Sequence, residues 1–108
     1  MDLEAFERVV AETINELPER FRYALENVAI LVEDEPESGE PDLFGLYEGV
    51  PLSGRGVGDI GLPDRIRVFR GPILRHCEST EEVRAEIRDT VVHELGHHMG
   101  LDDHEMPY

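Results

Sequence analysis

The stretch from Ser79 to Gly100 constrains the fold of this chain more than any other. Ser79 is followed three positions later by Glu82, the spacing of a capping box. Glu81, Glu82 and Glu86 then lie where a helix dipole favours negative charge. Val83, Ile87, Val91 and Leu95 recur at steps of four and predict a single buried stripe. Gly100 has no Cβ, can adopt positive φ, and predicts the stop. The spacing thus predicts a helix from Thr80 to about Met99, roughly 30 Å long at ~1.5 Å per residue.

The rest of the chain reads as shorter elements around that helix. Leu3, Phe6, Val10, Ile14 and Leu17 mark one face of an N-terminal helix, and Pro18 either ends it or starts the next. Phe21, Leu25 and Val28 suggest a second helical stretch from about Pro18 to Glu26, with Asn27 as a stop. Val28 to Val32 is a continuous, β-branched apolar run and predicts a buried strand. Glu33 to Asp42 holds six acids, two prolines and a glycine, the composition of a solvated loop. Leu43 to Glu48 is a weaker strand in which Gly45 predicts an edge or a bulge. Ser53 to Gly61 matches GxGxxG at Gly56, Gly58 and Gly61. No clear strand precedes it and Pro63 comes where a phosphate-binding helix should run, so it reads as a loop. Arg65 to Arg70 alternates polar and apolar residues and predicts a half-buried strand. Gly71-Pro72 breaks it, and Ile73 to Cys77 predicts a helical turn. A length of 108 residues suits one domain spanning residues 1–108.

Charge limits the partners. Lys and Arg number 10 against 25 Asp and Glu, a formal charge of −15. Such a surface repels phosphate backbones, so no nucleic-acid partner is expected, while a basic substrate suits it. Cys77 is the one cysteine, which excludes an internal disulfide and fits a reducing compartment. It reads as a semi-buried thiol, since no partner spacing supports a nucleophile or ligand. The N-terminal segment lacks the basic start and apolar run of a signal peptide, and no run approaches the ~18 apolar residues of a membrane span. A cytoplasmic protein with no membrane partner is expected.

His93-Glu94-Leu95-Gly96-His97 is an HExxH motif inside the long helix, the context this motif requires. Residues four apart share a helix face, so both imidazoles can meet one zinc ion at ~2.0–2.1 Å. Glu94, on the flank of that face, can take a proton from a water acidified by the metal and act as general base. A zinc hydrolase needs a third protein ligand and an open fourth position. After the turn at Gly100, Asp103 arrives six residues beyond His97 as an oxygen donor, and His104 competes one position later. Asp102 and Glu105 fit the spacing less well.

Read as a whole, His93 to Asp103 (HExxHxxGxxD) resembles the zinc signature of metzincin-like peptidases in the variant where aspartate replaces the third histidine. Pro18 to Asp34, Leu43 to Pro51 (LFGLYEGVP) and Leu62 to Arg70 (LPDRIRVFR) extend the likeness to a small bacterial family of zincin-like metallopeptidases, once catalogued as a domain of unknown function. The resemblance implies an α+β, minimal zincin-like fold. A small twisted sheet of about three to four strands would pack on two or three helices, with the active-site helix near the C-terminus. It also implies His93, His97 and Asp103 as zinc ligands, Glu94 as general base, and a peptide or protein substrate. His104 has no counterpart in that pattern, which favours Asp103. Longer metzincins carry a methionine turn in a further lobe. Here eleven residues come after His97, so the cleft is expected to be open on one side and Met106 to fill a gap near the site.

Other residues have plainer readings. His98 is adjacent to His97 and points about 100° away on a helix, exposed or supporting a ligand. Asp89, Thr90 and Glu86 either support the ligands or face solvent. Tyr23, Tyr47 and Tyr108 read as packing by default, with a tyrosine hydroxyl as an alternative donor to an oxyanion. For stabilising an oxyanion, His104 leads, with Arg55 and Arg65 behind it. Two other functions compete: a metal-dependent endoribonuclease, against which Glu94 and the acidic charge argue, and a non-catalytic module with a stabilising metal. The sequence leaves the oligomeric state unknown.

Overall fold

A computed structural model describes residues 1–49, 63–101 and 103–107, and for Asp103 the backbone alone. Four α-helices and three strands run in the order α1 (Leu3–Asn15), α2 (Glu19–Ala24), β1 (Val28–Glu33), β2 (Gly45–Glu48), β3 (Asp64–Phe69), α3 (Arg70–His76) and α4 (Thr80–His98). Short 3-10 turns occupy Leu25–Asn27 and Asp103–Glu105. The architecture is α+β, with one helix more than the two or three expected. The GxGxxG stretch lies outside the described residues.

The caps explain where the helices begin and end. Asp2 accepts from the Ala5 N–H at 2.8 Å and opens α1. Ser79 Oγ accepts from the Glu82 N–H at 3.1 Å and opens α4. Glu82 reaches back at 3.0 Å to the N–H of Glu78, one residue before the cap rather than the cap itself. Gly100, at φ +85°, ends α4 in a Schellman turn. Its N–H donates to His97 O at 3.1 Å and the Leu101 N–H to Gly96 O at 2.9 Å, satisfying carbonyls the helix leaves open. Pro72 falls in the first turn of α3, where a missing N–H costs nothing, so β3 stops at Phe69 and the helix takes in Gly71-Pro72 ahead of the turn expected from Ile73.

The sheet order is β1-β3-β2, with β1 parallel and β2 antiparallel to the central β3. The apolar run of β1 therefore forms an edge strand, half-buried along most of its length, with Leu31 exposed. The expectation of a fully buried strand fails because β3 pairs with only one side of it. Ile66 and Val68 of β3 face the helices, where Val83, Ile87, Val91, Val92 and Leu95 of α4 meet Phe6, Val9 and Val10 of α1 and Phe21 of α2. Full burial of each such side chain contributes ~1.5–3 kcal/mol.

The acidic segment after β1 is exposed but anchored. Arg75 grips Glu35 through two bonds of 2.9 Å, Arg70 pairs with Asp34 at 2.9 Å, and His76 meets Asp42 at 2.9 Å. The Arg75 guanidinium holds the Glu35 carboxyl below its ordinary range. Basic residues of α3 thus fold the loop back over the end of the sheet.

Candidate metal centre

The last two turns of α4 carry the HExxH residues. Leu95 points into the core, so His93 and Glu94 sit half-buried and His97 is exposed. His93 Nδ1 lies 2.8 Å from the carbonyl oxygen of Asp89, one turn earlier. A carbonyl only accepts, so Nδ1 carries the proton and Nε2 keeps the lone pair. This is the tautomer a metal-ligating histidine needs, fixed by its own helix. The supporting group at position 89 is the backbone carbonyl, and the Asp89 carboxylate pairs with Arg88 at 3.2 Å.

The His93 and His97 ring centroids lie 6.0 Å apart. Two imidazoles one helical turn apart offer nitrogen donors of the type zinc takes, so His93 and His97 are the residues that would hold such an ion. The pair fits zinc in donor type. Asp103 begins the 3-10 turn just beyond Gly100, but its side chain lies outside the described residues. Among the described residues no group of three His, Cys, Asp or Glu side chains stands ready to hold a metal. His104 is exposed in the same turn.

Glu94 faces the sheet. Its Oε1 accepts from the backbone N–H of Tyr47 at 2.9 Å. Antiparallel pairing explains why that N–H is available. Phe44 O accepts from Phe69 N at 2.9 Å, and bonded pairs alternate, so Gly45 and Tyr47 turn their backbone groups to the edge of β2 that carries no strand among the described residues. Gly45 permits the close approach of the helix. A Cβ there would lie 2.5 Å from the methyl of Thr90 on α4 and 3.1 Å from Arg67 O.

Tyr47 does more than pack. Its ring stacks on His98 with centroids 4.0 Å apart, and its hydroxyl donates to Asp64 Oδ2 at 2.8 Å. His98 Nε2 lies 3.7 Å from the same oxygen. Burial, the bond to Asp64 and the Asp64 charge together raise the Tyr47 pKa to about 12. The sequence reading missed this cluster. The one local signal was the alternation that puts residues 45 and 47 on one face of β2.

The other residues singled out in the sequence have simpler environments. Met106 packs under α4, where a Cβ on Gly96 would run into its Sδ and Cε. The glycine inside the motif is thus the seat of that methionine, in keeping with a gap-filling role. Thr90 is buried against Gly45. Arg65 pairs with Glu48 at 3.4 Å. Arg55 and Tyr108 lie outside the described residues. Burial first, then the charges of Glu86 and Glu82, pushes the Cys77 thiol up, the opposite of an activated nucleophile.

A model of the zincin-like metallopeptidase family matches residues 25–108, which include all of this site. The chain belongs to the zincin-like metallopeptidase family. Among solved structures, it is similar to a conserved hypothetical protein from Thermo thermophilus. The two are 31% identical, with 92% of this chain and 94% of that one covered, at a TM-score of 0.63. No curated protein matches the zincin-like chain. No described helix of it is long and apolar enough to cross a membrane.

Proposed function

We propose that this zincin-like protein is a zinc-dependent peptidase in which His93, His97 and Asp103 hold the metal and Glu94 is the general base. The observation that carries the reading is the fixed tautomer of His93, whose Nδ1 bond to Asp89 O leaves Nε2 for a cation beside His97. The left-handed turn at Gly100, which ends α4 three residues ahead of Asp103, supports the choice of Asp103 as third ligand. When bound, zinc supplies a Lewis acid that polarises a carbonyl oxygen and acidifies water.

The chain's own groups do the rest. Tyr47 N–H engages Glu94 Oε1 and leaves Oε2 to take a proton from the attacking water and deliver it to the leaving amine. An extended peptide adds to the free edge of β2 through the outward amide and carbonyl of Gly45 and the carbonyl of Tyr47. That edge lies against α4, so pairing brings a backbone carbonyl to the metal-binding turn.

Glu94→Gln tests the reading. The amide oxygen keeps the Tyr47 bond but cannot take a proton. Zinc content should stay at the wild-type level while cleavage of a peptide library falls by ~10²–10⁴. Wild-type rates in the variant would refute the assignment of the base. Zinc binding by the wild type with no cleavage of any peptide would make the protein a binding module.

A further inference from the structure

On the sheet face away from α4 lies a hollow of about 220 Å³. Its apolar lining is Pro36, Leu43, Leu46 and Phe69. Four carboxylates, those of Glu33, Glu37, Glu40 and Glu48, line it against a single cation, Arg67. Arg67 is already held by both Glu33 and Glu48, so its charge is spent inside the wall. Glu37 and Glu40 are exposed and have no ion pair among the described residues. The hollow thus presents an apolar floor under a net negative rim.

Its position ties it to β2. Along that strand Gly45 and Tyr47 face α4, while Leu46 and Glu48 face the hollow. Any strand added to the free edge of β2 projects alternate side chains to the same two faces. Those that do not face the metal stand beside Leu46, about 4.7–4.9 Å away across the pair. A long side chain there runs its methylenes over Leu46 and Leu43 and carries its head group to Glu37 and Glu40.

We infer that this hollow is a subsite for a lysine or arginine side chain of an extended peptide paired with β2. The inference rests on the proposed peptidase reading and adds its substrate class. An apolar stem fits the floor, a cation fits the rim, and the chain's formal charge of −15 draws basic peptides to it.

The test uses the zinc-loaded 108-residue chain and fluorescein-labelled peptide sets that differ only by Arg, norleucine or Glu at each position. Cleavage and fluorescence-anisotropy binding are both measured, for wild type and for the Glu37→Gln/Glu40→Gln variant. Both changes lie on the exposed loop, outside the metal centre. Expected is a position at which Arg lowers KM, or Kd, about tenfold relative to norleucine, with the preference lost in the variant and turnover of norleucine peptides unchanged. Cleavage with no charge preference, or a preference that survives in the variant, overturns the subsite and leaves the peptidase reading intact. Charge-selective binding that needs Glu37 and Glu40 but brings no cleavage keeps the subsite and overturns the peptidase reading.

Discussion

Tyr47 donates its backbone N–H to Glu94 Oε1 across 2.9 Å, joining the outer edge of the sheet to the HExxH turn of α4. The two residues are 47 positions apart in sequence. The bond holds the carboxylate at the mouth of the strand edge on which a peptide would pair. A backbone donor to a carboxylate contributes ~1.5–3 kcal/mol, enough to protect an otherwise outward-facing amide. In Glu94→Ala the Tyr47 amide should exchange with solvent at least about tenfold faster than in the wild type, by NMR-detected hydrogen exchange. Equal rates would mean that the bond is not formed in solution.

The hydroxyl of the same tyrosine gives a pH signature. Its pKa is raised to about 12 by burial and by Asp64. The native state therefore holds this proton where the unfolded chain, with a pKa near ~10, releases it. The contribution to stability is complete below about pH 10 and is lost as pH rises towards 12. Absorbance at ~295 nm should show one of the tyrosines titrating near 12. Tyr47→Phe should remove that late step and lower Tm by about 4–8 °C, for a lost bond of about 1 kcal/mol.

Contact between Gly45 and Thr90 sets how closely α4 approaches β2. Gly45→Ala puts a methyl 2.5 Å from Thr90 Cγ2 and should cost ~1–3 kcal/mol in denaturant unfolding. Thr90→Ser removes the opposing methyl and should recover part of the loss. Recovery stays partial because Arg67 O, a backbone atom, lies 3.1 Å from the added carbon. Purely additive effects in the double variant would show that the two residues are not in contact.

Much of this was legible in advance, for reasons that are local. Ser79, the four-residue stripe and Gly100 act within one helix, so α4 was readable to within a residue at its end. Pro18 and the alternation of β3 are equally local. The edge position of β1 was not readable, since a continuous apolar run looks the same whether one or both sides are paired. Only the return of β3 between β1 and β2, a long-range event, decides it. The contacts of Tyr47 were invisible for a similar reason. Its amide, ring and hydroxyl meet Glu94, His98 and Asp64, which the sheet order and α4 bring to it from distant sequence. Of the proposed metal ligands, the helical spacing of His93 and His97 could be read, while the bond of His93 Nδ1 to the carbonyl of Asp89 could not.

Gly100 sets the path of the chain beyond α4. At φ +85° it adopts a conformation that costs another residue ~1–2 kcal/mol. Gly100→Ala should lower stability by about that amount and, if Asp103 is the third ligand, weaken zinc affinity, because the left-handed turn between α4 and Asp103 is disturbed. Gly100→Asn should be milder, since asparagine tolerates the left-handed region better. Calorimetric unfolding with zinc titration checks both. Unchanged affinity in Gly100→Ala would separate the turn from the metal.

The most direct measurement is zinc content by mass spectrometry after exhaustive dialysis, on wild type and the single alanine variants of His93, His97, Asp103 and His104. One tightly held zinc per chain is expected in the wild type and in His104→Ala, with loss of it in the other three. A wild type that retains no zinc, or a full complement in His93→Ala and His97→Ala, would contradict the assignment of this turn as the metal centre.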